Sequence, residues 1–187
     1  MKLKLKEVFN IPNMLCYFRI LIIPFFINSY INANKVEDYY VASFLIVLSG
    51  LTDTLDGFIA RRFNMITELG KAIDPVADKL TQLAILFCLM TRYKFMIYLT
   101  FIFLIKEGTM GVLCLFYMVK GKKIDGALWF GKISTIVFYV VTFIIITFPT
   151  LNINIVNVLL GTTAFFLLFS FVKYIKAYSE LKNQIEE

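Results

Sequence analysis

The sequence contains no histidine, and its three cysteines, Cys16, Cys88 and Cys114, stand singly within apolar runs. Without histidine or paired cysteines, we expect neither a zinc or haem site nor a Ser-His-Asp triad. We interpret all three cysteines as structural packing residues. Acid–base chemistry in this chain must therefore come from carboxylates, lysines or tyrosines.

Charged residues are scarce as well. They make up 17% of the 187 residues, against 59% hydrophobic residues, 20 phenylalanines and a mean hydropathy of +0.78. This composition predicts an all-α integral membrane protein. Because a membrane span needs about 20 mostly apolar residues, we predict six spans. They are Ile11–Ile31, Tyr39–Phe58, Ile73–Thr91, Phe95–Val119, Phe130–Phe148 and Ile153–Tyr174.

No linker, low-complexity segment or internal repeat divides the chain, so we predict a single domain over residues 1–187. The first apolar run is too long, and the chain after it too apolar, for a cleaved signal peptide. Residues 1–10 begin MKLKLKEV, alternating basic and apolar residues. This segment is either an interfacial amphipathic stretch or a simple topological anchor.

Lysine and arginine are concentrated in alternate connections between the predicted spans, and this bias sets membrane orientation. It places both termini and the connection 58–72 in the cytosol. The residues that carry the bias are Lys2, Lys4, Lys6, Arg61, Arg62, Lys120, Lys122, Lys123, Lys173, Lys176 and Lys182. The net charge of +6 reflects this topology and an attraction to anionic lipid headgroups. Since no motif supports nucleic-acid binding, we expect no nucleic-acid partner.

Four aspartates stand beside the predicted second and third spans. Asp53 and Asp56 are three residues apart, and Asp74 and Asp78 are four apart, so each pair lies on one helical face. A carboxylate near the hydrocarbon is costly and usually faces a cavity or a partner. The polar hairpin between the pairs would bring all four together. Oxygen ligands of this kind suit one or two Mg²⁺ or Mn²⁺ ions.

The residues after Asp56 suggest what else binds there. Gly57 and Ala60 leave one face of the helix nearly free of side chains. Arg61 adds a planar cation suited to phosphate. Together these residues favour a nucleotide or pyrophosphate held beside the metal ions. The alternative is a purely structural cluster in which Arg61 pairs with Asp56 or Asp74.

The aspartates and the residues between them form the string Asp53-x2-Asp56-Gly57-x2-Ala60-Arg61-x8-Gly70-x3-Asp74-x3-Asp78. This string resembles the signature of the CDP-alcohol phosphatidyltransferases. The resemblance implies that family's six-helix fold and a metal-dependent transfer of a phosphatidyl group from CDP-diacylglycerol to an alcohol, with release of CMP. It implies two Mg²⁺ or Mn²⁺ ions held by Asp53, Asp56, Asp74 and Asp78, with Asp78 also the general base. The implied nucleotide contacts are Asp56, Gly57, Ala60, Arg61, Thr67 and Asp74.

Two further segments concern the acceptor alcohol. NIPNMLCYFRILIIPFF, from Asn10 to Phe26, resembles the amino-terminal NIPNxLTxxR stretch of phosphatidylglycerophosphate synthases, with Cys16 where threonine is usual. The stretch GKIST, which starts at Gly131, resembles their GKxKT stretch. The resemblance makes Lys132, Lys106 and Arg19 candidate contacts for glycerol 3-phosphate. Alternatively, Lys132 extends its ammonium group to the membrane surface and does not contact the acceptor.

The chain also departs from that pattern. Lys106, Glu107 and Gly108 stand where REF is usual, and Cys114 stands where a second arginine is usual. This keeps open a cardiolipin synthase, which would use phosphatidylglycerol as acceptor, and a buried Lys106–Glu107 pair without a binding role.

A divalent-metal transporter is the alternative from another class. It would place acids at mid-membrane depth on several helices, commonly with repeats.

The family resemblance further implies a bacterial cell membrane, an active site facing the cytosol, and lipid and phosphorylated-alcohol substrates. A homodimer is the candidate assembly.

Overall fold

The computed structural model describes residues 9–119 and 128–186, and the side chains of 9–117 and 128–180. In this part of the chain the regular secondary structure is helical, with no strand. Its six helices are α1 (Ile11–Ile31), α2 (Val36–Arg62), α3 (Glu68–Met90), α4 (Met96–Val119), α5 (Trp129–Thr147) and α6 (Ile153–Glu186). Two sequence predictions concern residues outside the described part of the chain. They are the interfacial segment, of which residues 1–8 are not described, and the orientation signal of Lys120, Lys122 and Lys123.

Five of these helices are long and apolar enough to cross a membrane, namely α1, α2, α4, α5 and α6. The protein is therefore an integral membrane protein. The remaining helix, α3, is long enough but carries Glu68, Lys71, Asp74, Asp78 and Lys79 in its first half. These charges lower its suitability for lipid, so the predicted span Ile73–Thr91 does not follow from length and composition.

The helices group into two compact units, which we describe separately. The first comprises Met1–Arg92 and Ile146–Thr150, and the second comprises Tyr93–Ile145 and Leu151–Glu187. The single domain that we expect from the sequence stays a prediction.

In the first unit, α1 packs against both α2 and α3. The side of α2 that faces inward carries the small residues Ala42, Ser43 and Ser49. Small residues at such positions let helix backbones approach closely, which is the usual basis of helix packing in membranes. The buried face of α1 changes along its length from Asn13, Cys16 and Arg19 to Ile22, Phe26 and Tyr30. One end of the unit is therefore polar inside, and the other is apolar.

A tight turn joins α2 to α3 at the polar end. Asn64 adopts a left-handed backbone conformation with φ 54°, and Met65 N–H donates to the carbonyl oxygen of Ala60 at 2.9 Å. This is a common helix-ending arrangement, in which asparagine is one of the few residues that tolerate the left-handed position. Thr67 then begins α3, because its hydroxyl accepts from the N–H of Gly70 at 3.0 Å. The turn brings the end of α2 beside the start of α3, as the sequence predicts.

The second unit contains α4, α6 and most of α5, and aromatic contacts dominate it. Tyr117 stacks on Tyr178, with ring centroids 5.2 Å apart, and its hydroxyl donates to the backbone carbonyl of Tyr178 at 3.1 Å. Phe103 stacks on Phe138 at 6.1 Å. A polar group lies inside this unit, since Lys106 is buried and contacts Glu107 and Ser134.

Candidate active site

Three of the four aspartates converge on the guanidinium of Arg19. Its Nη1 lies 2.6 Å from Asp53 Oδ1, and its Nη2 lies 2.5 Å from Asp56 Oδ2 and 3.2 Å from Asp74 Oδ1. The three carboxylates come from α2 and α3, and the arginine comes from α1. The predicted meeting of the two aspartate pairs is thus observed for these three residues, while their role as metal ligands stays a prediction.

The carboxylates differ in how far they reach solvent. The side chain of Asp56 is 5% exposed, whereas those of Asp53 and Asp74 are 49% and 50% exposed. An ion from outside the protein can therefore approach Asp53 and Asp74, while Asp56 forms the floor of the site. The Cys16 thiol closes one side by donating to Asp56 Oδ2 at 3.3 Å.

The donor atoms fit a divalent cation. Cys16 Sγ and one carboxylate oxygen each of Asp56 and Asp74 lie within 4.8 Å of one another. Oxygen donors from Asp53, Asp56 and Asp74 suit hard ions such as Mg²⁺ or Mn²⁺, which bind thiols less readily. This acidic cluster is therefore a possible metal site in which the carboxylates would be the ligands.

Asp78 stands slightly apart from this group. It lies one helical turn after Asp74, its side chain is 27% exposed, and Lys79 Nζ is 3.9 Å from its Oδ2. It lies within electrostatic range of Asp53. The structure thus places Asp78 at the edge of the cluster, and its role as a general base stays a prediction.

A cavity of about 340 Å³ opens next to the aspartates. The sequence predicts nucleotide contacts for six residues, and all of them line this cavity: Asp56, Gly57, Ala60, Arg61, Thr67 and Asp74. Asn13 and Cys16 of α1 form another part of its wall. A cavity of this size is within the range of small-ligand sites.

Arg61 does not form the structural ion pair that we considered from the sequence. In the described part of the chain its side chain contacts no carboxylate and is exposed. It lies over Gly57, where a β-carbon would be only 3.2 Å from Arg61 Nη1. The small size of Gly57 therefore makes room for a guanidinium that faces the cavity and remains available for a phosphate.

Gly70 fixes how closely α1 approaches α3. A β-carbon at this position would lie 2.5 Å from Asn13 Oδ1 and 3.0 Å from Thr67 Oγ1. Neither atom moves freely, because Asn13 is buried and its amide donates to Thr67 Oγ1 at 3.1 Å. Gly70 of the signature thus allows the close packing of α1 and α3 at the cavity wall.

We therefore expect Gly70→Ala to lower the free energy of unfolding by about 1–3 kcal/mol, the usual cost of overpacking. Thermal unfolding of the purified protein in detergent measures this change. Gly50→Ala is the matched control, since a β-carbon there meets no atom within 4 Å. Equal melting temperatures for the two variants would contradict the proposed role of Gly70.

The sequence analysis missed the environment of Arg19 and the contribution of Asn13. A signal for both exists in the sequence, because Asn13, Cys16 and Arg19 are spaced three residues apart along α1 and so lie within about a third of its circumference. A charged residue on the buried face of an apolar helix requires a partner of opposite charge. The acids of α2 and α3 are such partners.

The predicted acceptor residues Lys106 and Lys132 belong to the second unit. Lys106 Nζ lies 3.1 Å from Glu107 Oε1 and 3.5 Å from Ser134 Oγ. Lys132 is exposed in the first turn of α5. The buried Lys106–Glu107 pair considered from the sequence is thus observed. A contact of either lysine with an acceptor stays a prediction.

Comparison with known proteins agrees with these features. A CDP-diacylglycerol–glycerol-3-phosphate 3-phosphatidyltransferase of Rickettsia felis is 44% identical over 72 residues, which cover 38% of this chain and 39% of that protein. The protein of the same name from Escherichia coli is 33% identical over 131 residues, 68% of this chain and 71% of that protein. The chain thus spans about two fifths of the length of the Rickettsia relatives it matches.

The family comparison covers more of the chain. The model of the CDP-alcohol phosphatidyltransferase family matches residues 9–172, a range that contains the four aspartates, Arg19, the cavity, Lys106 and Lys132. The chain belongs to the CDP-alcohol phosphatidyltransferase family.

Proposed function

We propose that this protein transfers a phosphatidyl group from CDP-diacylglycerol to glycerol 3-phosphate, giving phosphatidylglycerophosphate and CMP. The observation that carries the proposal is the meeting of Asp53, Asp56 and Asp74 around Arg19. Two of them, Asp56 and Asp74, line the same cavity as Gly57 and Arg61. Family membership supports the reaction class, and the names of the relatives support the acceptor.

In this reaction a hydroxyl oxygen of glycerol 3-phosphate attacks the phosphorus that carries the diacylglycerol. A new phosphorus–oxygen bond forms, the bond from that phosphorus to the CMP oxygen breaks, and the hydroxyl proton passes to the Asp78 carboxylate. Arg61 contacts a phosphate of the nucleotide. Asp53, Asp56, Asp74 and Asp78 would hold two divalent ions, Mg²⁺ or Mn²⁺. When bound, such ions neutralise the negative charge that develops on the departing CMP.

The membrane setting of the reaction is also part of the proposal. We propose that α3 also crosses the membrane, which makes six spans in total. We further propose that both termini are cytosolic and that the aspartates face the cytosol. The positive charges flanking the helices favour this orientation. It suits a substrate whose acyl chains stay in the bilayer while its cytidine head is water-soluble. A homodimer is the assembly that we would test first.

The acceptor pocket is proposed to include Lys132 and Lys106. These two residues, which belong to the second unit, supply positive charge for the phosphate of glycerol 3-phosphate. Arg19 is the remaining candidate for this role, but its guanidinium already contacts three carboxylates.

The experiment that tests the proposed function offers the purified protein CDP-diacylglycerol with one acceptor at a time and measures CMP release. The acceptors are glycerol 3-phosphate, phosphatidylglycerol, serine and inositol. We expect release with glycerol 3-phosphate. Release with phosphatidylglycerol alone would instead identify a cardiolipin synthase, as Cys114 in place of the usual arginine would then indicate. Metal transport without CMP release in any mixture would refute the transferase.

We expect Lys132→Ala to lower kcat/KM for glycerol 3-phosphate by about 10- to 150-fold, because a charge-assisted contact to phosphate contributes roughly 1.5–3 kcal/mol. The KM for CDP-diacylglycerol should stay nearly constant, since the nucleotide binds elsewhere. Steady-state CMP release at varied concentrations of each substrate measures both values. Lys176→Ala, which removes an exposed lysine of the same unit, is the control. An equal loss in both variants would show that Lys132 acts only through general surface charge.

A further inference from the structure

Arg19 is a buried cation to which the proposed reaction assigns no step. It is 1% exposed, and it belongs to α1, whereas the signature residues belong to α2, α3 and the turn between them. An arginine buried near lipid is costly unless it is paired. Its contacts with Asp53, Asp56 and Asp74 meet that need and connect three helices at one point.

The charges at this point do not balance. The ionised carboxylates of Asp53, Asp56 and Asp74 contribute three negative charges, and Arg19 contributes one positive charge. Without the arginine, the three carboxylates would repel one another in a partly dehydrated site. With it, the excess of two negative charges equals the charge of one divalent ion. Arg19 therefore contributes the kind of charge that a bound metal ion would also contribute.

The hydrogen bonds of Arg19 are incomplete. Its Nη2 donates to Asp56 and Asp74, but Nε and Nη1 are buried without a hydrogen bond. The 2.6 Å contact of Nη1 with Asp53 is thus an ion pair without hydrogen-bond geometry. An arginine that leaves donors unused is held less firmly than a fully bonded one. Asp53 and Asp74, which are half exposed, can exchange this partner for an ion from solution.

We propose that Arg19 is an internal counter-cation of the aspartate cluster: it keeps α1, α2 and α3 assembled when no metal is bound, and it competes with the divalent ion for the carboxylates. Arg19 is then a positioning residue that sets the metal affinity and the stability of the metal-free protein in opposite directions. The inference rests on the metal role of the aspartates within the proposed function, but it does not depend on the identity of the acceptor.

The test uses the full chain in detergent and the variant Arg19→Met, which keeps a long side chain but removes the charge. We expect the melting temperature in EDTA to fall by about 10 °C, because breaking a buried ion pair leaves the remaining carboxylates uncompensated. We expect Mn²⁺ to bind about tenfold more tightly, because a cation beside the metal no longer repels it. Thermal unfolding with and without Mn²⁺ measures the first effect, and the paramagnetic resonance signal of free Mn²⁺ measures the second.

Two further variants keep the test decisive. Arg62→Met removes an exposed charge from the end of α2 that carries Asp53 and Asp56. It should change neither the melting temperature in EDTA nor the Mn²⁺ affinity by a comparable amount. If Arg19→Met does not fold, Arg19→Lys replaces it. A single ammonium pairs with fewer carboxylates than a guanidinium does, so both effects should keep their direction and become smaller.

Unchanged or weaker Mn²⁺ binding in the Arg19 variant would overturn the inference, because a purely structural arginine gives that result. A raised KM for glycerol 3-phosphate with unchanged Mn²⁺ affinity would also overturn it and would assign Arg19 to the acceptor. Absence of CMP release from the wild-type protein would refute the proposed function alone, since neither measurement requires turnover.

Discussion

Replacing Asp53 or Asp74 by asparagine is expected to abolish CMP release and to leave a folded membrane protein. Each change removes one negative charge and one oxygen ligand from a cluster whose proposed task is to hold divalent ions. The protein should still fold, because Arg19 keeps two of its three carboxylate partners in either variant. CMP release from CDP-diacylglycerol, measured with excess Mg²⁺ or Mn²⁺, checks the loss of activity.

Removal of the metal should reproduce this loss in the unmodified protein. EDTA should stop CMP release, and added Mg²⁺ or Mn²⁺ should restore it. For the two aspartate variants, Glu68→Gln is the matched control, since it neutralises an exposed carboxylate at the start of α3 that pairs with Lys71. Full turnover in EDTA would refute the metal-dependent mechanism.

Asp78→Asn should have the second largest effect, with turnover lower by a factor of about 10²–10⁴, the usual contribution of a positioned general base. Nucleotide binding should remain largely intact, because Asp78 stands apart from the closely spaced group of Cys16, Asp56 and Asp74. An amide is nearly the same size as the carboxylate but cannot accept the proton of the acceptor hydroxyl. Turnover and the dissociation constant for CDP-diacylglycerol, measured on the same preparation, separate the two effects. A parallel loss of both would mean that Asp78 acts chiefly as a metal ligand.

The sequence predicted the helices well, because all of them except α3 are long apolar runs with polar ends. The bounds of α1 agree with the predicted first span at both ends, and α2 includes the second with several residues added on each side. The status of α3 is less certain from sequence, since its apolar half and its charged half give opposite indications. A hydropathy measure averages these halves, whereas in the folded protein the charged half is largely accessible and the apolar half contributes buried residues such as Ile85 and Leu89.

The site was predictable where its residues follow one another on a helix. Spacing alone indicates that Asp53 and Asp56 share a face, and the turn at Asn64 brings Asp74 beside them. Arg19 lies far from these acids in sequence, so local spacing carries no information on which charge it meets. Its ion pairs arise from the packing of α1 against two other helices. Such a contact requires a structure, or a rule that every buried charge needs a partner.

The charged first half of α3 also has a consequence for how the protein enters the bilayer. A ribosome completes α1 and α2 before α3 emerges, so Arg19 is synthesised well ahead of Asp74. A nascent segment that bears carboxylates inserts with difficulty on its own, because the translocation machinery favours apolar segments. An arginine already positioned on α1 offers Asp74 an immediate partner. If α3 enters the bilayer as proposed, we expect Asp74 to meet a partner that is already in place on α1.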